Sequence, residues 1–417
     1  MEKDRNEVAA SPFYRDIRVW VVGLILIALL AIGLWWGGET TWEGLLAIQT
    51  HPSQLISDYV ALAGPGPALV NASLVALAGL ILILLARVDI TGPTTAGVFT
   101  ILGFGLFGKT MVNILPIFAG VWLYATVVKS DMKHYILPAL FGTALGPVVS
   151  HIAFATGLGL VGGVTAGLVV GFVMPGAGAH MLRNHQGLNL YNLGFTAGFL
   201  GLFVAAMLRG LGNPVSAMML WDVDSSVMYG WLMFALCAVL IVTGLILSKW
   251  RLAGCWEIMK EPGKLATDFV TIAGFGPTLI NMGLVGLLGL GYLLAIGGDV
   301  NGPTAGGVLT MIGFGAFGKH LRNCVPVMAG VWLGTFIFQW GPADPGAQLA
   351  VLFGTTLAPV SMEFGWLIGV TAGFIHLIVV HNVGIIHGGL NLYNNGFAGG
   401  LVATAIVAIY RGLGRDV

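Results

Sequence analysis

The chain contains itself twice. Ser57 to Leu123 and Thr267 to Leu333 align without a gap at a constant offset of 210, and roughly half the paired positions are identical. A repeat period of 210 residues is far longer than the roughly 20–50 residues of a solenoid repeat. In an apolar chain, a duplication on this scale predicts the two halves of a transporter or channel, enclosing a site near the bilayer midplane.

Composition sets the solvent. Hydrophobic residues make up 57% of the chain and charged ones only 9%, with 64 glycines among 417 residues. A soluble domain carries about 25% charged residues, so the sequence reads as an integral membrane protein that partners the lipid bilayer. Net charge is zero and there is no basic tract, which argues against nucleic acid. Cys237, Cys255 and Cys324 are far apart and form neither a CxxC pair nor a disulfide framework. The segment before the first apolar run is too long and too acidic for a signal peptide, so that run is expected to stay as the first span.

Seven apolar segments can be counted in each half. They lie near 19–37, 67–86, 93–108, 110–128, 135–153, 157–176 and 190–208, then near 228–248, 276–296, 303–318, 323–340, 347–361, 364–381 and 391–409. Arg15 and Arg18 precede the first span and predict a cytoplasmic amino terminus by the positive-inside rule. The stretch after that span holds two glutamates and no basic residue, whereas its counterpart in the second half carries Lys249, Arg251, Lys260 and Lys264. Equivalent connections thus prefer opposite sides, which requires an odd number of crossings per half; seven fits the charges better than five. Lys129, Lys133, Arg183, Lys319, Arg322, Arg411 and Arg415 then fall inside, while Lys109 and Arg209 break the rule. The expected fold class is an all-α integral membrane protein of two inverted repeats, residues 1–212 and 213–417, with broken half-helices in segments 3 and 10. It would be multi-pass in the bacterial inner membrane with both termini cytoplasmic.

The candidate site residues come in pairs. Asp89-Ile-Thr-Gly92-Pro93-Thr94 recurs as Asp299-Val-Asn-Gly302-Pro303-Thr304. Gly-Pro-Thr cannot continue a helix but starts one well, so each copy predicts a half-helix whose free amide groups and positive dipole end face a substrate. An ordinary loop with a proline-started helix is the plainer reading. Asp58 and Asp268 occupy matching positions; intramembrane carboxylates suggest cation coupling, and an interfacial or capping role stays open beside it. Asn71 and Asn281, one turn into the second span of each half, bond either the substrate or a neighbouring helix. Trp122 and Trp332 suit interfacial anchors better than ligand stacking.

Two further phrases repeat. Gly103-Phe-Gly-Leu-Phe-Gly-Lys109 returns as Gly313-Phe-Gly-Ala-Phe-Gly-Lys319; the glycines permit close backbone approach, and the lysines are expected to snorkel or, alternatively, to hold an anion. The spacing is not that of a P-loop. His185-Gln-Gly-Leu-Asn189-Leu-Tyr191-Asn192 returns as His387-Gly-Gly-Leu-Asn391-Leu-Tyr393-Asn394 and reads as a structural turn before the last span. Its histidines lack metal-ligand spacing. No HExxH or GxSxG motif is present, so no catalytic set, metal or cofactor is expected and the chain does not read as an enzyme. His320, Arg322, Glu363 and His376 have no like-charged partner in the first half and are expected to distinguish two gates.

The paired GPT and GFGxFGK phrases resemble those of an uncharacterised bacterial family of polytopic membrane proteins built on a repeated domain of unknown function. In topology alone, seven-plus-seven inverted spans resemble the nucleobase/ascorbate and sulfate/bicarbonate transporters, whose broken segments meet at the substrate. A weaker resemblance, through LNLYNLGFTAGF, is to urea channels with five-span inverted halves. The expected function is a secondary transporter of a small solute or ion, working by alternating access at the repeat interface. The alternative is a passive channel for a small neutral solute such as urea or ammonia. Glycine-rich outer faces are compatible with a homodimer.

Overall fold

The computed structural model describes residues 16–265 and 267–414; Arg15 and Arg415, used in the charge argument, lie outside them. The first repeat lays down α1 (Ile17–Gly37), α2 (Thr41–Gln49), α3 (Tyr59–Ala63), α4 (Pro65–Leu85), α5 (Gly92–Phe104), α6 (Met111–Val127), α7 (Ile136–Gly142), α8 (Gly146–Ala155), α9 (Gly159–His185) and α10 (Asn192–Gly210). The second repeats that order as α11 (Ser226–Leu247), α12 (Ala253–Ile258), α13 (Phe269–Ala273), α14 (Phe275–Ala295), α15 (Gly302–Phe314), α16 (Leu321–Gly334), α17 (Pro345–Gly354), α18 (Ala358–Glu363), α19 (Trp366–Val383) and α20 (Asn394–Gly412). Among the described residues, eight helical stretches are long and apolar enough to cross a membrane.

One pair of segments departs from the sequence expectation. Segments 3 and 4, read as two spans, form one helical hairpin. Helix α5 has 13 residues and is about 20 Å long, against about 30 Å of hydrocarbon. It runs back along α4, with Gly79 beside Ile101 and Ala72 beside Gly105. Residues 105–110 then turn the chain, and both ends of the turn hang from one side chain: the Asn71 amide donates to Gly105 O at 2.7 Å and Lys109 O at 2.8 Å. Helix α6 returns, antiparallel to α7 and α8, with Ile117 facing Gly142 and Asn113 bonded to Ser150. The hairpin of α15 and α16 hangs in the same way from Asn281. Outside the hairpin each half holds α1, α4, the α7–α8 pair, α9 and α10, or their counterparts, and eight of these ten are the long apolar stretches counted above. A hairpin takes away two crossings together, so it leaves the odd parity demanded by the charges intact.

The two half-helices form the centre. Helices α5 and α15 are apolar all round and almost wholly buried, the pattern of an element enclosed by protein. They lie against each other antiparallel, Gly103 on Gly306 and Gly313 on Ala96 and Phe99. A methyl on Gly103 would sit 2.5 Å from Gly306 O, so only glycine permits this approach. Helices α10 and α20 pair reciprocally as well, Gly198 on Phe397 and Gly400 on Phe195. Such exchange of identical contacts is what a two-fold axis generates. Antiparallel pairing of equivalent helices means the repeats run in opposite directions along them. Among the described residues, one large hydrophobic core joins the two halves, with a smaller cluster beside it.

Candidate functional site

Each half-helix begins with a capping box. Thr91 and Asn301 are the N-caps; their backbone N–H groups donate to Thr94 Oγ1 at 2.8 Å and Thr304 Oγ1 at 2.9 Å. Those hydroxyls donate in turn to Asp89 O and Asp299 O. The amino ends do not face each other: antiparallel packing puts them at opposite ends of the pair, about 20 Å apart. Each is covered by the other repeat. Asp268 Oδ1 accepts from Gly92 N at 2.8 Å and from Val270 N at 3.0 Å, and its Oδ2 accepts from Thr271 at 2.7 Å. Asp58 lies against Gly302 in the reciprocal place, accepting from Val60 N at 2.8 Å and Asp222 N at 3.0 Å. Negative charge at a helix amino end is stabilising, so the hydrogen bonds of both aspartates are those of caps.

The other ends of the half-helices carry the unexpected feature. Residues Gly105–Lys109 close the end of α5 with a hydrogen bond from Lys109 N to Phe104 O at 2.9 Å, repeated by Lys319 N and Phe314 O. Gly108 has φ +111° and Gly318 φ +95°, backbone that only glycine adopts cheaply. The turn aims each lysine inward. Lys109 and Lys319 are 0% exposed; neither snorkels, because each finds a tyrosine inside, on the opposite repeat, and Lys319 also finds Thr355 on its own. Lys109 Nζ donates to Tyr393 Oη at 2.5 Å. Lys319 Nζ donates to Tyr191 Oη at 2.5 Å and to Thr355 Oγ1 at 2.7 Å. The amino nitrogens also lie 4.7 and 4.6 Å from the centroids of the same tyrosine rings. Among the described residues, neither lysine is ion-paired to a carboxylate.

The tyrosines are held by the repeated LNLYN phrase. His185 Nε2 meets Asn192 Oδ1 at 2.9 Å, Asn192 donates to Gly178 O, and Asn189 donates across to Gly396 O. His387, Asn394 and Asn391 repeat these bonds to Val380 O and Gly194 O. The phrase is a structural turn, and it carries a functional candidate. The GFGxFGK phrase of one repeat and the LNLYN phrase of the other thus make one unit. Their joint recurrence in the sequence was the available signal, but nothing in the spacing showed that they meet.

Tyr191 and Tyr393 also line a cavity of about 640 Å³ between the repeats, with Phe104, Phe314 and Phe353 around them; the size suits a small organic ligand. Pro93 and Asp268 border it, whereas Gly92, Thr94, Asn71, Asn281, Gly302, Pro303, Thr304 and Asp58 do not. The wall continues through Leu137, Gly178, Ala179, Leu265 and Phe317 toward His134 and Tyr135. Their counterparts Leu349, Val380, His381, Leu55 and Phe107 line a second space of only about 70 Å³. Val380 and His381 fill what Gly178 and Ala179 leave open, and Trp340 stacks on His381 with ring centroids 4.0 Å apart. Of the unpaired polar residues, Glu363 bonds Lys264 at 2.8 Å and His376 bonds Asn395, which borders both spaces. Trp122 and Trp332 face outward, 59% and 40% exposed.

Residues 38–210 and 247–412 match the family described as Protein of unknown function (DUF1576). No curated protein and no solved structure matches the chain.

Proposed function

We propose that this chain, which belongs to that family, is a secondary transporter of a small solute whose central site opens to one side of the membrane at a time. The observation that carries this reading is the inequality of two equivalent spaces, about 640 Å³ against about 70 Å³. One set of paired residues builds both walls. If the repeats exchanged conformations, the wide space would close and the narrow one would open, and the aromatic centre would pass from one face to the other. A solute that binds both arrangements lets them interconvert around it.

In this reading the wide cavity faces the cytoplasm. It opens beside the connections holding Lys129, Lys133 and Lys264, the side that the positive-inside rule assigns to the interior. The chain is then multi-pass in the bacterial inner membrane, and the stack of Trp340 on His381 is the closed outer gate.

The test is uptake by proteoliposomes of labelled benzoate, acetate, nitrate, uracil and urea, with and without sodium and proton gradients. Accumulation above equilibrium that collapses with a gradient is the expected result. Equilibration at a rate indifferent to both gradients would overturn the reading and leave a passive channel.

A further inference from the structure

The two-fold relation between the repeats shapes the wide cavity, and one polar pair on its wall breaks that relation. Helices α5 and α15 cross with Gly103 on Gly306 and Gly313 on Ala96. Thr100 and Thr310 are equivalent residues that lie midway between those contacts, and both border the cavity. Their hydroxyls donate to Ala96 O at 2.6 Å and Gly306 O at 2.8 Å, so what they offer a ligand is lone pairs. Around them runs a belt of rings. Tyr393, Phe104, Phe353, Tyr191, Phe314 and Phe141 follow one another with centroids 4.6, 5.3, 6.5, 4.7 and 5.8 Å apart, and all of them border the cavity.

The break in symmetry is His376 with Asn395. Asn395 stands where the first repeat has Leu193, and His376 where it has Met174; Met174 lies beside Gly142 as His376 lies beside Gly354. His376 is 0% exposed, with Nε2 at 3.0 Å from Asn395 Oδ1 and no partner for Nδ1. A proton on Nε2 makes the orphan atom an acceptor. On Nδ1 it would be a buried N–H with nothing to bond, the rarer fault in folded proteins. The ring therefore donates to Asn395 Oδ1. That leaves Asn395 Nδ2 without a partner among the described residues, yet not buried, on a residue that borders both the wide and the narrow space. Asn192, also on the wide cavity's wall, is spent instead on His185 and Gly178 O.

We propose that the solute is a small neutral amide with a flat apolar body. Its carbonyl accepts from Asn395 Nδ2, its N–H donates to Thr100 or Thr310 Oγ1, and its body lies on the aromatic belt. His376 is a positioning residue, since it fixes which end of the Asn395 amide is left for the ligand. The wall gives a charged solute little to pair with: Asp268 already accepts three hydrogen bonds, and His134 is exposed. Because Asn395 borders both spaces, the same donor is within reach in either arrangement of the repeats. The proposal rests on the transporter reading for its consequence but not for its test.

The experiment is equilibrium binding of benzamide, benzoate and acetophenone to the full chain purified in detergent. All share a phenyl ring; benzoate puts a charge in place of the amide, and acetophenone keeps the carbonyl but has no N–H. Benzamide is expected to bind more tightly than benzoate, and about fivefold to tenfold more tightly than acetophenone, the increment of one neutral hydrogen bond. Thr100→Val with Thr310→Val is expected to close the gap between benzamide and acetophenone. Asn395→Leu with His376→Met copies the first repeat's pair and is expected to weaken both carbonyl compounds by a similar factor. His376→Gln keeps a donor toward Asn395 and should bind benzamide like the unaltered chain. A merely structural bond between α19 and α20 predicts instead that the Asn395→Leu, His376→Met chain melts lower but binds benzamide as before, which would overturn the proposal. Benzoate binding as tightly as benzamide to the unaltered chain would overturn it without any variant, as would no saturable benzamide binding at millimolar concentration. No gradient enters this measurement. Benzamide binding that depends on Asn395, combined with gradient-indifferent uptake, would sink the transporter and keep the amide site.

Discussion

Gly108 lies on backbone at φ +111°, with the Leu392 side chain where a methyl group would go. That backbone strains any side chain, and it aims Lys109 at Tyr393. Gly108→Ala is expected to cost about 1–3 kcal/mol, seen as a lower melting temperature in detergent. Gly210→Ala, where nothing stands within 4 Å, is the control and should melt like the unaltered chain or slightly higher. The density of glycine in GFGxFGK announced a tight turn, and the turn is there. The fate of the lysine was not legible. A lysine beside an apolar run normally reaches for the interface, and the reason this one does not is a tyrosine 284 positions away.

At the scale of the element, α5 and α15 are short helices whose amino ends are finished by the partner repeat. Asp268→Ala removes the acceptor from Gly92 N, Val270 N and Thr271 Oγ1, and is expected to cost about 1 kcal/mol, measured as a fall in melting temperature. Asp268→Asn keeps an oxygen acceptor and should stay close to the unaltered chain in both stability and gradient-dependent uptake. A cation-coupling role makes the opposite claim, that Asp268→Asn and Asp58→Asn melt normally yet lose ion dependence; uptake in a sodium or proton gradient separates the two. The sequence showed where both helices start, because proline at the first turn and a Thr or Asn before it are local signals. It also placed Asp58 and Asp268 at matching positions. That each aspartate serves the helix of the other repeat is a long-range fact, set by the antiparallel crossing at Gly103 and Gly306.

For the whole molecule, the hairpin in each half leads to a topological prediction of five crossings per half. In a seven-crossing chain the turn at 105–110 would reach the outer face. Here it hangs from Asn71 within the protein. In a Cys255→Ser background, Ser130→Cys and Gly157→Cys should react with a membrane-impermeant thiol reagent from opposite sides, while Leu106→Cys reacts from neither. Labelling of Leu106→Cys from the side that labels Gly157→Cys would restore the seven-span count. The sequence by itself determined the solvent, the duplication, the opposed orientation of the copies and the starts of the half-helices. These follow from composition, self-similarity, charge in the connections and local capping chemistry, all readable along the chain. The tertiary structure alone decided that two apolar segments fold into a hairpin, that the helix ends are capped across the repeats, and that Lys109 and Lys319 are buried against tyrosines. Hydropathy sees how apolar a segment is but not whether its thirteen residues reach across, and no local rule records which partner a side chain meets from the other half.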